Sequence, residues 1–510
     1  MNYEDAILST HPSYEDRYIQ WITCRDAFDG ERAIKSVEHR EEYLPRLGGQ
    51  EGRDYENYIA RAVFHPVVST VVNGRTGQVF YKSPQFEMDD NLLEWGKTEV
   101  TKQRQTLNGA IKTMLREVLT VGRVGVLVDI DRQGGDPYLA IYKAEDITNW
   151  KQDDMGLTHV TLCEYPVDQK MDQDGNYFQS IVKQYRHLMI NEEGRYTQIV
   201  YRMHEGDLLV YDEVEPTQNG SPLDFIPFTF INASDISPMC EKPPLFDLAT
   251  INIAHYRNSA DYEQCLHMLA VPTPYGTGLD EDEALDTLGP LNFKAIRNEN
   301  AKLGLLEFSG RGTESLKEAM TEKMSVMASI GGSLVQKQRK QVESAETARI
   351  RTASETSSLE TICDTIEQAS EQMLAYVSKW MGWSEEIEVS LNRDFTNERW
   401  DPADIKAITE AEMMGVISKE TAFYQRKLLE FYPDKRTFED EQELIAMNAG
   451  PPEQKEMETH TMDPRSHVIE QEEGTFGVAD VKGNIVSTFD SKVEAEQYAI
   501  DNHNDLMAQA

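Results

Sequence analysis

The feature that most constrains the fold is a long stretch without helix-breaking residues. Between Ser344 and Trp383 there is no proline, and the only glycine is Gly382. Apolar side chains recur along it every three or four residues, a spacing that places them on one side of a helix. They are Leu359, Ile362, Ile366, Ala369, Met373, Tyr376, Val377 and Trp380. At a rise of 1.5 Å per residue, the segment predicts one helix about 57 Å long.

The N-terminal 242 residues predict a mixture of helices and strands. Apolar spacing favours a helix in three segments, and the branched residues that follow Gly122 favour a buried strand. Farther along, short runs separated by turn-forming residues predict a meander of β-hairpins. The predicted elements are helices at 13–35, 53–72 and 90–119, a strand at 122–129, and hairpins from 138 to 230.

The rest of the chain predicts mainly helices. Pro272 and Pro274 stop a helix that begins at Leu245, and Gly331-Gly332 ends the next one. The predicted elements are helices at 245–270 and 313–330, the long helix, a strand at 387–391, a helical region at 401–448, a linker at 450–465 and a small ββα module at 466–510. The whole pattern predicts an α+β fold.

The charge balance argues against one class of function, tight binding of nucleic acid over a broad surface. The chain has 89 acidic and 50 basic residues and a net charge of -39. Proteins that grip DNA over a broad surface carry an excess of Lys and Arg, so we do not expect tight, static binding of this kind, whereas sliding of nucleic acid through an acidic passage stays open. No stretch approaches the ~18 consecutive apolar residues of a membrane helix, and the N-terminus does not resemble a signal peptide. Five scattered cysteines indicate a reducing compartment. We therefore expect a soluble intracellular protein.

No motif in the sequence indicates catalysis. The phosphate-binding glycine loops, the zinc-protease motif and the serine-hydrolase elbow are all missing from it. Residues 129–134 resemble the start of a calcium loop, but Ala140 occupies the position that needs a bidentate Glu. His460 and His467 flank the predicted linker, and we expect them to be solvated. We predict no catalytic residues, no metal site and no cofactor.

Two charged segments are candidate binding sites. The basic segment is a predicted loop that consists of Gln336, Lys337, Gln338, Arg339, Lys340 and Gln341. Long, flexible donors of this kind can contact phosphates without reading sequence, although a solvated loop has the same composition. The acidic segment consists of Asp280, Glu281, Asp282 and Glu283. It fits either a docking site for a basic partner or a solvated turn.

Ten short segments occur in a fixed order between about residue 10 and about residue 450. They are 11–14, 24–33, 43–47, 61–64, 122–129, 142–150, 243–245, 255–256, 259–262 and 346–359. In this order they resemble the portal proteins of tailed bacteriophages, in the portal-like group of the DUF4055 type. Residues 466–510 lie outside the shared pattern.

The resemblance implies a portal architecture. Its parts are a wing of mixed α/β structure, a stem of two helices with a small α/β clip between them, a tunnel loop, a long helix and a helical crown. They correspond to a wing at 1–242 to which a strand at 384–399 returns, stem helices at 243–270 and 311–330, a clip at 271–310, a tunnel loop at 331–344, a long helix at 345–383, a crown at 400–449, a linker at 450–465 and the C-terminal module at 466–510. The acidic segment then falls in the clip, and the basic segment falls in the tunnel loop.

The resemblance also implies a function. Portal proteins form a ring, usually of twelve copies, at one capsid vertex, and double-stranded DNA passes through it during packaging and ejection. The implied partners are the large terminase, the major capsid protein and head-completion or tail adaptor proteins, with no membrane. The implied location is the portal vertex of the virion, after assembly in the host cytoplasm. Two alternatives stay open: a soluble acidic enzyme, and a minor capsid protein without a DNA channel.

Overall fold

A computed structural model gives the fold of most of the chain. The described residues are 3–131, 135–154, 156–171, 177–204, 206–218, 220–270, 273–278, 300–306, 311–331, 345–395, 402–428, 431–433, 436–448, 464–470, 474–479 and 482–502. They belong to two units, Met1–Asn397 and Glu398–Ala510. Helices and antiparallel strands occur in both, so the predicted α+β class is confirmed.

The helices of the first unit begin and end close to many of the predicted bounds. The three predicted near the N-terminus are each divided in the structure. The helices are α1 (Tyr3–Leu8), α2 (Pro12–Asp29), α3 (Glu31–Ile34), α4 (Arg40–Tyr43), α5 (Gly52–Arg61), α6 (Val67–Val79), α7 (Asp90–Lys97), α8 (Leu107–Val121), α9 (Phe246–Ala270), α10 (Arg311–Gly331) and α11 (Ala345–Met381).

Each of the three divisions has a local cause. Gly30 ends α2 with a φ of 86°, a conformation that glycine adopts without strain. Pro66 lacks the N–H that a continuous helix would need between α5 and α6. Between α7 and α8 the cause is tertiary, because the Leu139 N–H donates a 2.7 Å hydrogen bond to the carbonyl of Val100. The sequence carries no local signal for that third break.

The strands of the first unit form antiparallel sheets. They are β1 (Gln85–Glu87), β2 (Arg123–Asp129), β3 (Tyr138–Lys143), β4 (Ile147–Asp153), β5 (Gly156–Glu164), β6 (Val167–Met171), β7 (Tyr177–Ile181), β8 (Gln184–Ile190), β9 (Tyr196–His204), β10 (Asp207–Val214), β11 (Thr217–Gln218), β12 (Ser221–Pro222), β13 (Phe228–Asn232), β14 (Thr273–Thr277), β15 (Lys302–Leu306) and β16 (Glu388–Ser390). The larger sheets have the orders β10-β9-β8-β5-β4 and β13-β2-β3, and β1 pairs with β16.

The core of the first unit lies where α8 and α11 pack against β2. Every residue of β2 is buried, as predicted for this strand. The predicted apolar stripe of α11 is also buried, except that Tyr376 is half-buried and stacks on Phe225 with ring centroids 5.2 Å apart. α11 is 37 residues long, which corresponds to about 56 Å. The prediction of one long helix is confirmed.

A glycine in β2 allows its neighbours to pack closely. A Cβ atom at Gly125 would lie 2.4 Å from Cζ of Phe228 and 2.7 Å from Cδ1 of Ile147, which is closer than carbon atoms pack. We expect Gly125→Ala to lower the free energy of unfolding by about 2 kcal/mol, because the buried ring and the isoleucine must both shift. Urea unfolding measures the change. The matched control is Gly77→Ala at an exposed position of α6, where nothing lies within 4 Å of the new Cβ. There we expect a gain of about 0.5–1 kcal/mol, and equal losses in both variants would contradict the argument.

The second unit contains short helices and a small sheet. The elements are α12 (Pro402–Met413), α13 (Lys419–Leu428), α14 (Phe438–Asn448), β17 (Val468–Glu470), β18 (Phe476–Ala479), β19 (Ile485–Phe489) and α15 (Lys492–Asp501). The sheet has the order β17-β18-β19, so the predicted ββα module has a third strand, β17, before the other two.

The prediction that His467 is solvated is wrong. The side chain is buried, and its Nδ1 lies 2.9 Å from the carbonyl oxygen of Ala479. His460 lies outside the described residues.

Candidate functional site: the α9–α10 helical pair

The first half of α9 is fixed to the body of the first unit. Its apolar side chains Leu248, Ile253 and Tyr256 are buried. Farther along the helix, Ser259 Oγ donates a 2.9 Å hydrogen bond to the carbonyl of Val63 and accepts one from the N–H of the same residue. Asp261 lies at the end of this anchored part. This anchored part of α9, residues 246–261, is called the α9 root. It is held by both packing and hydrogen bonds.

Two side chains of α5 hold the middle of α9. Tyr58 Oη donates a 2.6 Å hydrogen bond to Oδ1 of Asp261, and Arg61 Nη1 donates a 2.8 Å hydrogen bond to Oε1 of Gln264. Burial and the bond to Asp261 raise the pKa of Tyr58 above its usual value, so the hydroxyl stays a donor. These bonds set the direction in which the second half of α9 leaves the body.

A buried arginine fixes the loop that leads into α9. Arg123, the first residue of β2, is 1% exposed. Its Nη2 donates a 2.9 Å hydrogen bond to the carbonyl of Pro238, and its Nη1 donates to the carbonyl of Met239 and to Oδ1 of Asn232. The guanidinium lies over the rings of Trp150 and Phe230, at 4.7 and 4.5 Å from their centroids.

The second half of α9 and most of α10 extend beyond these anchors. α9 packs along α10, and the residues of α9 after Asp261 are partly or fully exposed. Apolar side chains are exposed on both helices, namely Leu266, Met268, Met324 and Val326. At the far end of the pair, β14 and β15 form a two-stranded antiparallel unit. The pair therefore presents apolar surface that the described residues of its own chain do not cover.

The acidic segment, 280–283, lies outside the described residues. In the sequence it belongs to the connection between β14 and β15. The structure thus gives the position of the strands on either side and tests nothing about the segment itself. Its role stays a prediction.

The basic segment, 336–341, also lies outside the described residues. It belongs to the connection between α10, which ends at Gly331, and α11, which begins at Ala345. Met327 and Ala328, near the end of α10, are buried, so this end of the helix packs against its surroundings. The role of the basic segment, like that of the acidic segment, stays a prediction.

A polar cluster on the large sheet is internally satisfied. Arg186 donates a 2.7 Å hydrogen bond to Glu164, which also accepts one from the hydroxyl of Tyr142. Burial by itself raises the pKa of Glu164, but Arg186 and these hydrogen bonds hold it below the usual value. Asp129 accepts hydrogen bonds from Tyr138 Oη and Gln198 Nε2. The first residue of the calcium-like segment is thus occupied by protein donors.

Two features that bear on function could not be recognised from the sequence. One is Arg123, whose only sequence signal is a charge at the start of an apolar strand. The other is the exposed two-stranded ribbon of β6 and β7, which alternates apolar and polar residues but was not distinguished from the surrounding hairpins. In the part of the chain that is described, no group of three or more His, Cys, Asp or Glu side chains could hold a metal ion. None of the helices described combines the length and apolar content needed to cross a bilayer.

One family model matches the part of the chain that contains the helical pair. Residues 244–381 match a family described as a domain of unknown function (DUF4055). The matched range begins two residues before α9 and ends with the last residue of α11. It therefore includes α9, α10 and the long helix, together with both charged segments. No curated protein matches the chain.

Solved structures that resemble the chain come from gene transfer agent (GTA) particles. One is from the neck of an empty GTA particle computed with C6 symmetry, and another is from the neck of a native particle computed with C12 symmetry. A third is from the virion of the native particle. Each is 13% identical to this chain with a TM-score of 0.35, and covers 78% of it. The match covers 98%, 98% and 100% of the empty-neck, native-neck and virion chains. At that score the likeness does not establish a common fold.

Proposed function

We propose that this chain is the portal protein of a tailed bacteriophage. The observation that carries the proposal is the order of elements within residues 244–381. Two paired helices enclose a small β unit, and a 37-residue helix follows whose second half is buried in a mixed α/β body. This order agrees with the stem, clip and long helix that the sequence resemblance implies.

The uncovered surface of the helical pair supports a ring. Leu266, Met268, Met324 and Val326 are exposed on two helices that already pack against each other. Apolar side chains that stay exposed on two helices already packed together fit burial against another copy. A head-to-tail contact between identical copies closes into a ring when the rotation permits it. We infer a ring of about twelve copies, the number usual in portals.

The two charged segments have different roles in this ring. The basic segment forms a collar of cations in an otherwise acidic channel, and each solvated contact with a DNA phosphate contributes about 1 kcal/mol or less. DNA is steadied and can still slide. The acidic segment lies in the clip and docks a basic surface of the large terminase. Head-completion or tail adaptor proteins later replace the terminase, and the major capsid protein surrounds the ring.

The chain itself does not hydrolyse ATP in this proposal. Its sequence has no phosphate-binding glycine loop, and the terminase supplies the ATPase. The protein is then a structural component, located at the portal vertex of the virion and in the host cytoplasm during assembly. DNA passes through it during packaging and ejection.

The test of the proposal is the assembly state of the full chain. We expect native mass spectrometry to give a closed oligomer of about twelve copies, and negative-stain images to show rings with a central hole. A stable monomer at micromolar concentration would contradict the proposal and favour the acidic enzyme. Closed assemblies without a hole would favour a minor capsid protein without a DNA channel.

Removing the charge of the basic segment tests its role in the channel. We expect the triple change of Lys337, Arg339 and Lys340 to Gln to leave rings intact, because the segment is too polar to form a core. Particles built with it should retain less DNA under osmotic challenge, since the collar no longer contacts phosphates. The measurement is packaged DNA per particle.

A matched control separates the effect of where the charges lie from the effect of the net charge. Changing Lys97, Lys151 and Lys406 to Gln alters the net charge by the same amount at exposed positions of α7, β4 and α12, outside the helical pair. We expect this control to package and retain DNA as the unchanged protein does. Equal losses in the two triple variants would assign the effect to overall charge, and normal retention in both would make the basic segment an ordinary solvated loop.

A further inference from the structure

A short segment returns along the long helix after α11 ends. Residues 388–395, which we call the strap, begin with β16 and are the last described residues before the second unit. On one side β16 pairs with β1, so that Val389 is opposite Phe86. Within the described residues, this sheet has only those two strands. The other edge of the strap therefore needs hydrogen-bond acceptors that no strand supplies.

Two glutamates of α11 supply these acceptors. The N–H of Val389 donates a 3.1 Å hydrogen bond to Oε1 of Glu371, and the N–H of Leu391 donates a 2.7 Å hydrogen bond to Oε1 of Glu367. Residues two apart on a strand are separated by about 6.8 Å, and residues four apart on a helix by about 6 Å along its axis, so the two spacings match. The two carboxylates thus take the place of a neighbouring strand.

Further polar contacts hold the C-terminal half of the strap. Arg393 forms ion pairs with two carboxylates of α11, Asp364 at 2.6 Å and Glu367. The side-chain amide of Asn392 donates a 2.8 Å hydrogen bond to the carbonyl of Gln78 on α6. In return, the side-chain amide of Gln78 donates a 3.2 Å hydrogen bond to the last carbonyl of the strap. Side chains of α11 and α6 therefore hold the strap along its whole length.

Little of the strap is buried. Val389 and Leu391 are buried, Phe395 is half-buried, and the other five residues are partly or fully exposed. In α11, by contrast, an apolar side chain is buried at almost every turn from Leu359 to Trp380. Segments with few buried apolar contacts and with exposed hydrogen bonds open at a lower free energy than the core does. The strap can therefore open while α11 stays packed.

We propose that the strap opens and closes as one unit, and that Glu367 and Glu371 hold it closed. The second unit begins at Glu398, so the strap fixes the point at which the chain leaves the first unit. Opening frees residues 384–395, a length of chain that spans about 40 Å when extended. The closed strap keeps the free connection to the second unit short, and opening lengthens it. This inference goes beyond the proposed function and does not depend on a ring.

The first test is hydrogen–deuterium exchange of the full-length protein, read by mass spectrometry. In the unchanged protein we expect the amides of the strap to exchange together, at least tenfold faster than those of α11 between residues 362 and 380. Exchange of the strap as slowly as α11 would make it part of the core and overturn the proposal. Unrelated rates at separate amides of the strap would also overturn it, because the strap would then not open as one unit.

Two double variants test the role of the glutamates. Changing Glu367 and Glu371 to Ala removes both acceptors, and we expect the strap to exchange at least tenfold faster while α11 keeps its rate. Changing both to Gln keeps an oxygen acceptor at each position, so exchange should return to within about threefold of the original. The matched control changes Glu385 and Glu386, two exposed residues just before the strap, to Ala. It should exchange as the unchanged protein does.

Trypsin gives an independent measurement, because Arg393 lies inside the strap. We expect cleavage after Arg393 to be at least tenfold faster in the double alanine variant, and close to the original rate in the double glutamine variant and in the control. Unchanged cleavage and exchange in the alanine variant would show that the two glutamates do not hold the strap closed. Faster exchange of α11 together with the strap would show that the two open only as one body. Either result would overturn the proposal.

Discussion

Replacing Arg123 by alanine is expected to lower the free energy of unfolding of the first unit by about 4 kcal/mol. The change removes three hydrogen bonds, two to the loop before α9 and one to Asn232 at the end of β13, and leaves a cavity between the rings of Trp150 and Phe230. Burial lowers the pKa of Arg123 to about 10, so the side chain is charged at neutral pH and its contacts with the rings are cation–π contacts. Urea unfolding gives the stability change.

Two further variants test whether the lost hydrogen bonds and ring contacts of Arg123 cause this loss of stability. Arg123→Lys keeps the charge but cannot direct bonds to several acceptors at once, so we expect about half of the loss. Arg116→Ala removes an exposed arginine that lies over Phe28 at 5.5 Å, and we expect less than about 1 kcal/mol. Limited proteolysis should cut the alanine variant between residues 233 and 242, where the loop has lost its anchor. Stability equal to that of Arg116→Ala would contradict the role of Arg123.

The sequence predicted those elements whose cause is local. The long helix α11 needs only an apolar stripe and the lack of breakers, and it formed where predicted. The breaks at Gly30 and Pro66 also have local causes. They were not predicted because the apolar spacing on either side of each break favours one continuous helix. The break between α7 and α8 could not be predicted, because it depends on a bond between Val100 and a strand that follows much later in the chain.

The sequence predicted the order of the elements in the candidate site, but not the hydrogen bonds that hold them in place. Charge runs and apolar spacing located the helical pair and the two charged segments. They said nothing about Arg123 or about the Tyr58–Asp261 bond, because both depend on residues more than 100 positions apart. The exposed face of the ribbon also escaped prediction. Alternation of apolar and polar residues predicts a strand with one covered face, and only the fold reveals that none of the described residues covers it.

Acid is expected to destabilise the first unit through two buried histidines. Burial lowers the pKa of His255 on α9 to about 4, with smaller contributions from His65 and from Lys323 of α10. Burial, with the nearby His159, also lowers the pKa of His187 on β8 to about 4. Both are therefore neutral in the folded protein at pH 5, whereas in the unfolded chain they are mostly protonated there.

The direction of the stability change and the pH range in which it occurs follow from these pKa values. The unfolded chain takes up protons below about pH 6.5, and the folded chain does so only near pH 4. Stability is fully present above pH 6.5 and is lost as the pH falls through this window. Each histidine contributes a slope of at most about 1.4 kcal/mol per pH unit. Asp146 opposes the trend, since burial raises its pKa to about 6 and favours its protonated form in the folded protein.

The measurement is the urea midpoint of the first unit at pH 7 and at pH 5. We expect His255→Gln and His187→Gln each to reduce the difference between the two midpoints, because each removes one group that the unfolded chain protonates. Thr161→Val is the matched control. It removes the hydroxyl that lies 3.0 Å from Nδ1 of His187 but no titrating group, so it should lower both midpoints equally. If the two histidine variants keep the full difference between pH 7 and pH 5, the acid sensitivity belongs to the carboxylates, and the buried imidazoles are protonated without cost to the fold.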